Sequence, residues 1–275
     1  MSRWSCVAAL VVTLGAESQG QNEHARIVLE LRPRAGDTLT LRLDQTTEMS
    51  GIRRSGATRV MTTTLRMYSR AIVESTTPAF ATILALTDSV IVSGSDERAK
   101  AVAAETERQL AGKQMRVRMA PDGTVSIAEP QANISREVTD LVSIMPASFP
   151  RGSVAVGDTW LREMPIPPSP TMGVPLGGLV KAAFKLDSIT SDGNVAFLSM
   201  KGTMHPLSDA IASANPGALV GSVTGSMIVD RRRGWLSESR FRIETRATLP
   251  AVGTAAPMQF RLRITQHMTV LEKRF

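Results

Sequence analysis

The chain has 275 residues, 43% of them apolar and 21% charged, a balance that supports a sizeable core and excludes global disorder. Its formal net charge of +7 is carried almost wholly by arginine, with only six lysines, and charge of this kind bears on solubility and anionic contacts rather than on fold. Cys6 is the only cysteine and lies in a leader-like stretch, so the mature protein is expected to have no disulfide and no thiolate metal site.

Arg3 precedes the apolar run Trp4–Ala16, and polar residues follow. These are the parts of a secretory signal peptide over residues 1–20, with Ser18 and Gly20 as the small residues before a cut at Gln21. The run is too short to span a bilayer, so an exported protein of the periplasm or exterior is expected, not membrane-spanning after cleavage. Residues 21–275 read as a single β-rich domain, with two degenerate halves, 21–129 and 151–275, joined by a helix over 130–145.

Period-two alternation dominates that domain. Ala35–Leu43 (AGDTLTLRL) opens the first strand, and Thr58–Ser75 places Met61, Leu65, Met67, Ala71 and Val73 on one face with Arg66, Tyr68 and Arg70 on the other. Ser50–Gly56 reads as a hairpin tip, and Thr76–Ala79 as the turn into a strand over Phe80–Ser93. Asp96–Leu110 is rich in Ala and Glu, with Gly112 placed to end it, and predicts an exposed helix. Pro121-Asp122-Gly123 then turns between two alternating arms that include Met115 and Met119.

Ile134, Val138, Leu141, Val142 and Met145 form one helical stripe, bounded by Pro130 and Pro146. Val156–Met164 (VGDTWLREM) repeats the Gly-Asp-Thr start, after which the proline-rich Pro165–Gly178 is expected to lack regular structure. Hairpins follow around Thr190–Asn194 and Asp230–Gly234, separated by a loop over His205–Val220. The last strand, Met258–Lys273, puts Phe260, Leu262, Ile264, Met268 and Val270 on one face and Arg261, Arg263, Thr265 and His267 on the other. The fold class is therefore mainly β: a large curved antiparallel sheet of about ten to eleven strands, an open half-barrel, with one or two helices packed on or beside it.

Chemistry is hard to find. His24, His205 and His267 are scattered, with no second His or Cys at ligand spacing, so His267 reads as a solvated histidine and His205 as part of a turn. There is no Gly-x-Ser-x-Gly elbow, Gly221–Ser226 lacks the lysine of a phosphate loop, and Asp88, Asp187 and Glu244 stand singly. No catalytic residue, metal or cofactor is assigned. Few aromatic side chains and the export signal disfavour nucleic acid. A transmembrane barrel is rejected because Phe275 does not end a lipid-facing series and aromatic girdles are missing.

Two leads remain. The chain has 14 methionines, many of them in strands, and flexible thioethers suit variable apolar ligands as well as ordinary cores. The candidate ligand face comprises Met61, Leu65, Met67, Met115, Met119, Leu262, Ile264 and Met268. Arginines at two hairpin tips, Arg53 and Arg54, then Arg231, Arg232 and Arg233, are candidate contacts for an anion or a partner.

The leader, AGDTLTLRL, the Pro-Asp-Gly hairpin, the mid-chain helix, VGDTW and Asp230–Leu236 together resemble a bacterial family of exported proteins of unknown function. More remotely, the strand count resembles the half-barrels of lipoprotein carriers, which implies an apolar face that holds acyl chains, here without a lipid-anchor cysteine. The expected function is a non-enzymatic envelope protein that binds or carries a lipid or another hydrophobic ligand. The alternative is a structural or protein-interaction module of the envelope with no ligand. A hydrolase with a site assembled across strands is the remote third.

Overall fold

The computed structural model describes residues 26–52, 58–129, 148–169, 176–205, 220–249 and 258–271. The signal peptide, the Ile134–Met145 helix, Arg53 and Arg54 lie outside the described residues. Eleven antiparallel strands form one open sheet. They are β1 (Thr38–Ile52), β2 (Thr58–Thr76), β3 (Ala81–Gly94), β4 (Gln114–Met119), β5 (Val125–Ile127), β6 (Thr159–Ser169), β7 (Leu176–Ile189), β8 (Val195–His205), β9 (Val220–Asp230), β10 (Trp235–Leu249) and β11 (Met258–Leu271). The spatial order is β5-β4-β3-β2-β1-β11-β10-β9-β8-β7-β6. Two meanders of consecutive hairpins thus meet where β1 pairs β11, from Thr40 beside Leu271 to Ile52 beside Gln259.

One helix, α1 (Glu97–Leu110), is present among the described residues. It starts where Asp96 accepts the Ala99 backbone N–H at 2.9 Å, the expected N-cap bond, and Gly112 beyond its end has φ +65°. Ala99 and Ala103 are buried, and the helix packs against β3 and reaches β2. A Cβ on Gly94 would stand 2.2 Å from the Ala99 carbonyl carbon, so glycine is what lets the helix lie this close to the strand.

The two Gly-Asp-Thr turns have the same structure. Gly36 and Gly157 adopt φ +88° and +94°, a conformation that favours glycine. Asp37 accepts the Arg34 N–H, and Asp158 the Ala155 N–H, each at 3.0 Å. Each turn then bonds back to the following strand, Gly36 N–H to the Val73 carbonyl and Gly157 N–H to the Leu186 carbonyl.

The proline-rich stretch departs from expectation. β6 continues through Pro165, Pro167 and Pro168 to Ser169, and β7 begins at Leu176, so only residues 170–175 fall outside the described strands. Prolines are tolerated because β6 is an edge strand, where a missing N–H removes no ladder bond on the free side, and its register shifts between Ile166 and Ser169. His205 likewise ends β8 rather than standing in a turn.

The core lies on one face. Ile83 on β3 and Phe184 on β7 belong to a single buried cluster. In a flat sheet strands β3 and β8 alone would lie about 30 Å apart, so sharing one core requires a strong curl. Two segments outside the strands fill the gap between the curled edges. Ile27 and Val154 exchange backbone hydrogen bonds at 2.8 Å, Leu31 N–H bonds the Pro121 carbonyl, and Phe149 N–H bonds the Asp122 carbonyl. Leu29 and Phe149 are each 1% exposed. These segments act as a strap that closes one end of the half-barrel. Trp160, on β6, ties into it by donating its indole N–H to the Ser148 carbonyl at 2.8 Å and stacking on Phe184.

Candidate functional site

The inner face of β2, β1 and β11 can be read row by row from the register. Leu43 faces Met67 and Met268, Gln45 faces Leu65 and Gln266, Thr47 faces Thr63 and Ile264, and Met49 faces Met61 and Leu262. These side chains are half-buried. Nearer the strap, Leu39, Leu41 and Val270 pack against the core cluster, whereas Leu43, Met49, Met61, Leu65, Met67, Leu262, Ile264 and Met268 lie outside it. Together they line an apolar trough that leads from the closed end of the half-barrel to the open one.

Six of the eight residues expected to form a ligand face therefore stand together in this trough. The other two do not. Met119 is buried at 6% exposure inside the core, and Met115 packs against that core. Both sit on β4, close to the strap, where side chains of the protein itself already occupy the space.

Polar atoms in the trough are few. Gln45 and Gln266 form its central pair, with Gln45 Nε2 donating to Thr47 Oγ1 at 3.3 Å. Thr245 on β10 faces Leu262 and is 4% exposed, and its Oγ1 has no hydrogen-bond partner among the described residues. A buried hydroxyl without a partner is unfavourable and marks a place where a ligand oxygen would be welcome. On the adjoining wall the sheet is pinched. A Cβ on Gly225 would meet the Phe241 ring at 2.3 Å, so the glycine lets that ring lie across the strand.

The outer face is built from charge. Asp44 accepts from Arg42 at 2.6 Å and from Arg66 at 2.7 Å. Its partial burial works to raise the carboxyl pKa, but the two guanidinium hydrogen bonds and charges outweigh it and hold the group below the ordinary carboxylate value. Arg242 donates to Glu244 and keeps that carboxyl low as well, while Arg263 bridges Glu244 and Glu48. Arg70 pairs with Asp88, and His267, read from the sequence as solvated, has its Nε2 within hydrogen-bond distance of both Glu238 and Thr269, each at 3.0 Å.

Arg231, Arg232 and Arg233 stand in the turn between β9 and β10. The Arg231 guanidinium donates to the Gly193 carbonyl and its N–H bonds the Asn194 carbonyl, which ties the β9–β10 turn to the β7–β8 turn. In the latter turn Asp192 is pulled down to about 2 by hydrogen bonds from Thr190 and Asn194. Arg233 pairs with Asp230, and Arg232 is exposed. All three lie at the closed end, whereas Arg53 and Arg54 are outside the described residues. Among the described residues no group of three or more His, Cys, Asp or Glu side chains is placed to hold a metal ion. No described helix is long and apolar enough to cross a membrane.

Sequence reasoning missed three features: the strap, Thr245, and a pair of facing arginines at the open end of the outer face. The strap carries no periodicity. The other two become visible only when the register of β10 against β11 is known.

No family model matches the chain, and no curated protein matches it. Among solved structures it resembles lipovitellin, in a structure of lipid–protein interactions, with a TM-score of 0.56 and 8% identity over 88% of this chain. The chain spans 26% of the length of that protein. An alignment to an outer membrane channel from Pseudomonas putida F1 covers 88% of this chain and 98% of that one, at 10% identity and a TM-score of only 0.20, too low to bear on the fold. The likeness to lipovitellin is one of fold alone.

Proposed function

We propose that this chain is an exported, non-enzymatic cell-envelope protein that carries a lipid or another hydrophobic ligand in the trough over β2, β1 and β11. The observation that carries the reading is the set of half-buried apolar side chains outside the core, from Leu43 to Met49 and their neighbours on both sides. Binding sites for apolar ligands are concave and mostly apolar with a minority of polar groups, which here are Gln45, Gln266, Thr47, Thr63 and Thr245. Methionine at four of its positions gives a wall that adapts to chains of different shape. The likeness to lipovitellin supports the choice of a lipid over other apolar ligands.

The test is direct. Purified protein is extracted with organic solvent for mass spectrometry, and titrated with a fluorescent fatty-acid probe. Co-purified lipid or saturable probe binding, lost on placing Gln at Met61 and Met268, supports the reading. Absence of both overturns it and leaves the second reading, an envelope module without a ligand, which the filled closed end favours. Export rests on the Arg3–Ala16 leader and is checked by sequencing the N-terminus of protein recovered from the cell exterior or periplasm, where Gln21 is expected first.

A further inference from the structure

The outer face of the open end holds an arrangement that the carrier reading does not use. Its charges form rows across the strands. In one row Glu48, Arg263 and Glu244 alternate in sign and pair with one another. One step further toward the open end the row reads Val60, Ser50, Arg261, Arg246 and Val220, with the two arginines directly opposite each other. Like charges in direct cross-strand register are destabilising.

No described carboxylate relieves them. Glu48 is engaged by Arg263, and Glu244 by Arg242 and Arg263. Of the neighbouring connections, 53–57 and 250–257 contain no Asp or Glu in their sequences, and 206–219, which leads into Val220, contains one, Asp209. Arg246 and Arg261 are both exposed and border a surface hollow of about 430 Å³ that Ser50 and Ser222 also line, together with Glu48 and Glu244, the two carboxylates held by Arg263. Val60 and Val220 flank the pair at 55% and 46% exposure. Two guanidinium forks, hydroxyls beside them and exposed valines on both sides are suited to a phosphate at an apolar boundary.

We propose that Arg246 and Arg261 bind the phosphate of an anionic lipid headgroup, so that the open end of the sheet docks on an anionic lipid surface. The phosphate offsets the repulsion between the two guanidinium groups, and the valines meet the lipid beneath the headgroups. This inference stands on the outer face alone and does not require a ligand in the trough.

Binding of the full chain to phosphatidylcholine vesicles, with and without phosphatidylglycerol, tests it. The protein is expected to prefer the anionic vesicles, and the preference is expected to weaken with added salt. The double variant Arg246→Gln/Arg261→Gln should lose about tenfold or more of that affinity. Its thermal midpoint should be unchanged or higher in the absence of ligand, because the facing charges are gone. The double variant Arg34→Gln/Arg151→Gln, an equal loss of charge at two exposed positions of the closed end, should bind as the parent does. Equal binding by the parent and the double variant overturns the proposal. So does an inorganic-phosphate arm in which phosphate raises the midpoint of the parent but neither protein binds vesicles, since the ligand is then free phosphate. Fatty-acid probe uptake separates the two readings: the double variant should keep it, and its loss in the parent would refute the carrier while leaving the docking site standing.

Discussion

The two ends of the half-barrel are made by the same strands and differ in what crosses them. At the closed end Leu29 and Phe149 are fully buried between the curled edges, and Val73, Leu186 and Val229 pack around them. At the open end of the same strands, Met49, Met61 and Leu262 stay half-buried and belong to no core. The strand faces are equally apolar, so composition does not set the difference. A strap of a few residues outside the sheet does: among the described residues it supplies side chains to the closed end, over Val73, Leu186 and Val229, and not to Met49, Met61 and Leu262.

Substitutions should separate the ends, and the largest effect is expected at the strap. Phe149→Ala should cost about 3–5 kcal/mol in urea unfolding, whereas Leu262→Ala should cost about 1 kcal/mol, being only half-buried. Equal costs at the two sites would break the contrast. Next in size is Gly94→Ala, whose new methyl meets the backbone of Ala99 and must displace α1 from β3, at about 1–3 kcal/mol by the same measurement.

The double change Met61→Gln/Met268→Gln should move stability by no more than about 1 kcal/mol yet weaken fatty-acid probe binding about tenfold. Loss of stability with unchanged probe binding would make the trough an ordinary core. The smallest effect concerns acid. Asp44 has a folded pKa below its ordinary 3.8, so its contribution is present above that value and is lost as pH falls through the lower folded value. Asp44→Asn should therefore flatten the decline of the unfolding midpoint between about pH 5 and pH 2, and lower stability at neutral pH by under about 1 kcal/mol.

Much of this architecture was legible because alternation reports directly on faces. The apolar inner residues of β11 from Phe260 to Val270 could be placed without a structure, though not Gln266 among them, and Asp96 with Gly112 bracketed α1 closely. What stayed hidden depends on pairing across the sheet. Arg246 and Arg261 each look like unremarkable strand arginines until the register sets them opposite each other. The strap is invisible for a different reason: Leu29, Leu31 and Phe149 are buried by tertiary position, in segments with no repeat. Met119 shows the converse, since its alternation is that of Met61 while its depth is decided by what packs over β4. The prolines of β6 misled because their cost depends on whether a strand has one neighbour or two, and edge status is not written in the strand itself.

The seam between β1 and β11 has a kinetic consequence. Every other neighbour in the sheet is also the next strand in the chain, so each meander can grow by closing connections far shorter than the one the seam closes. The seam instead joins residues as distant as Thr40 and Leu271. Its closure costs more loop entropy than that of any other single pairing in the sheet, so it is expected to form late. Seam residues such as Leu43 and Met268 should accordingly govern how fast the native sheet opens far more than how fast it assembles.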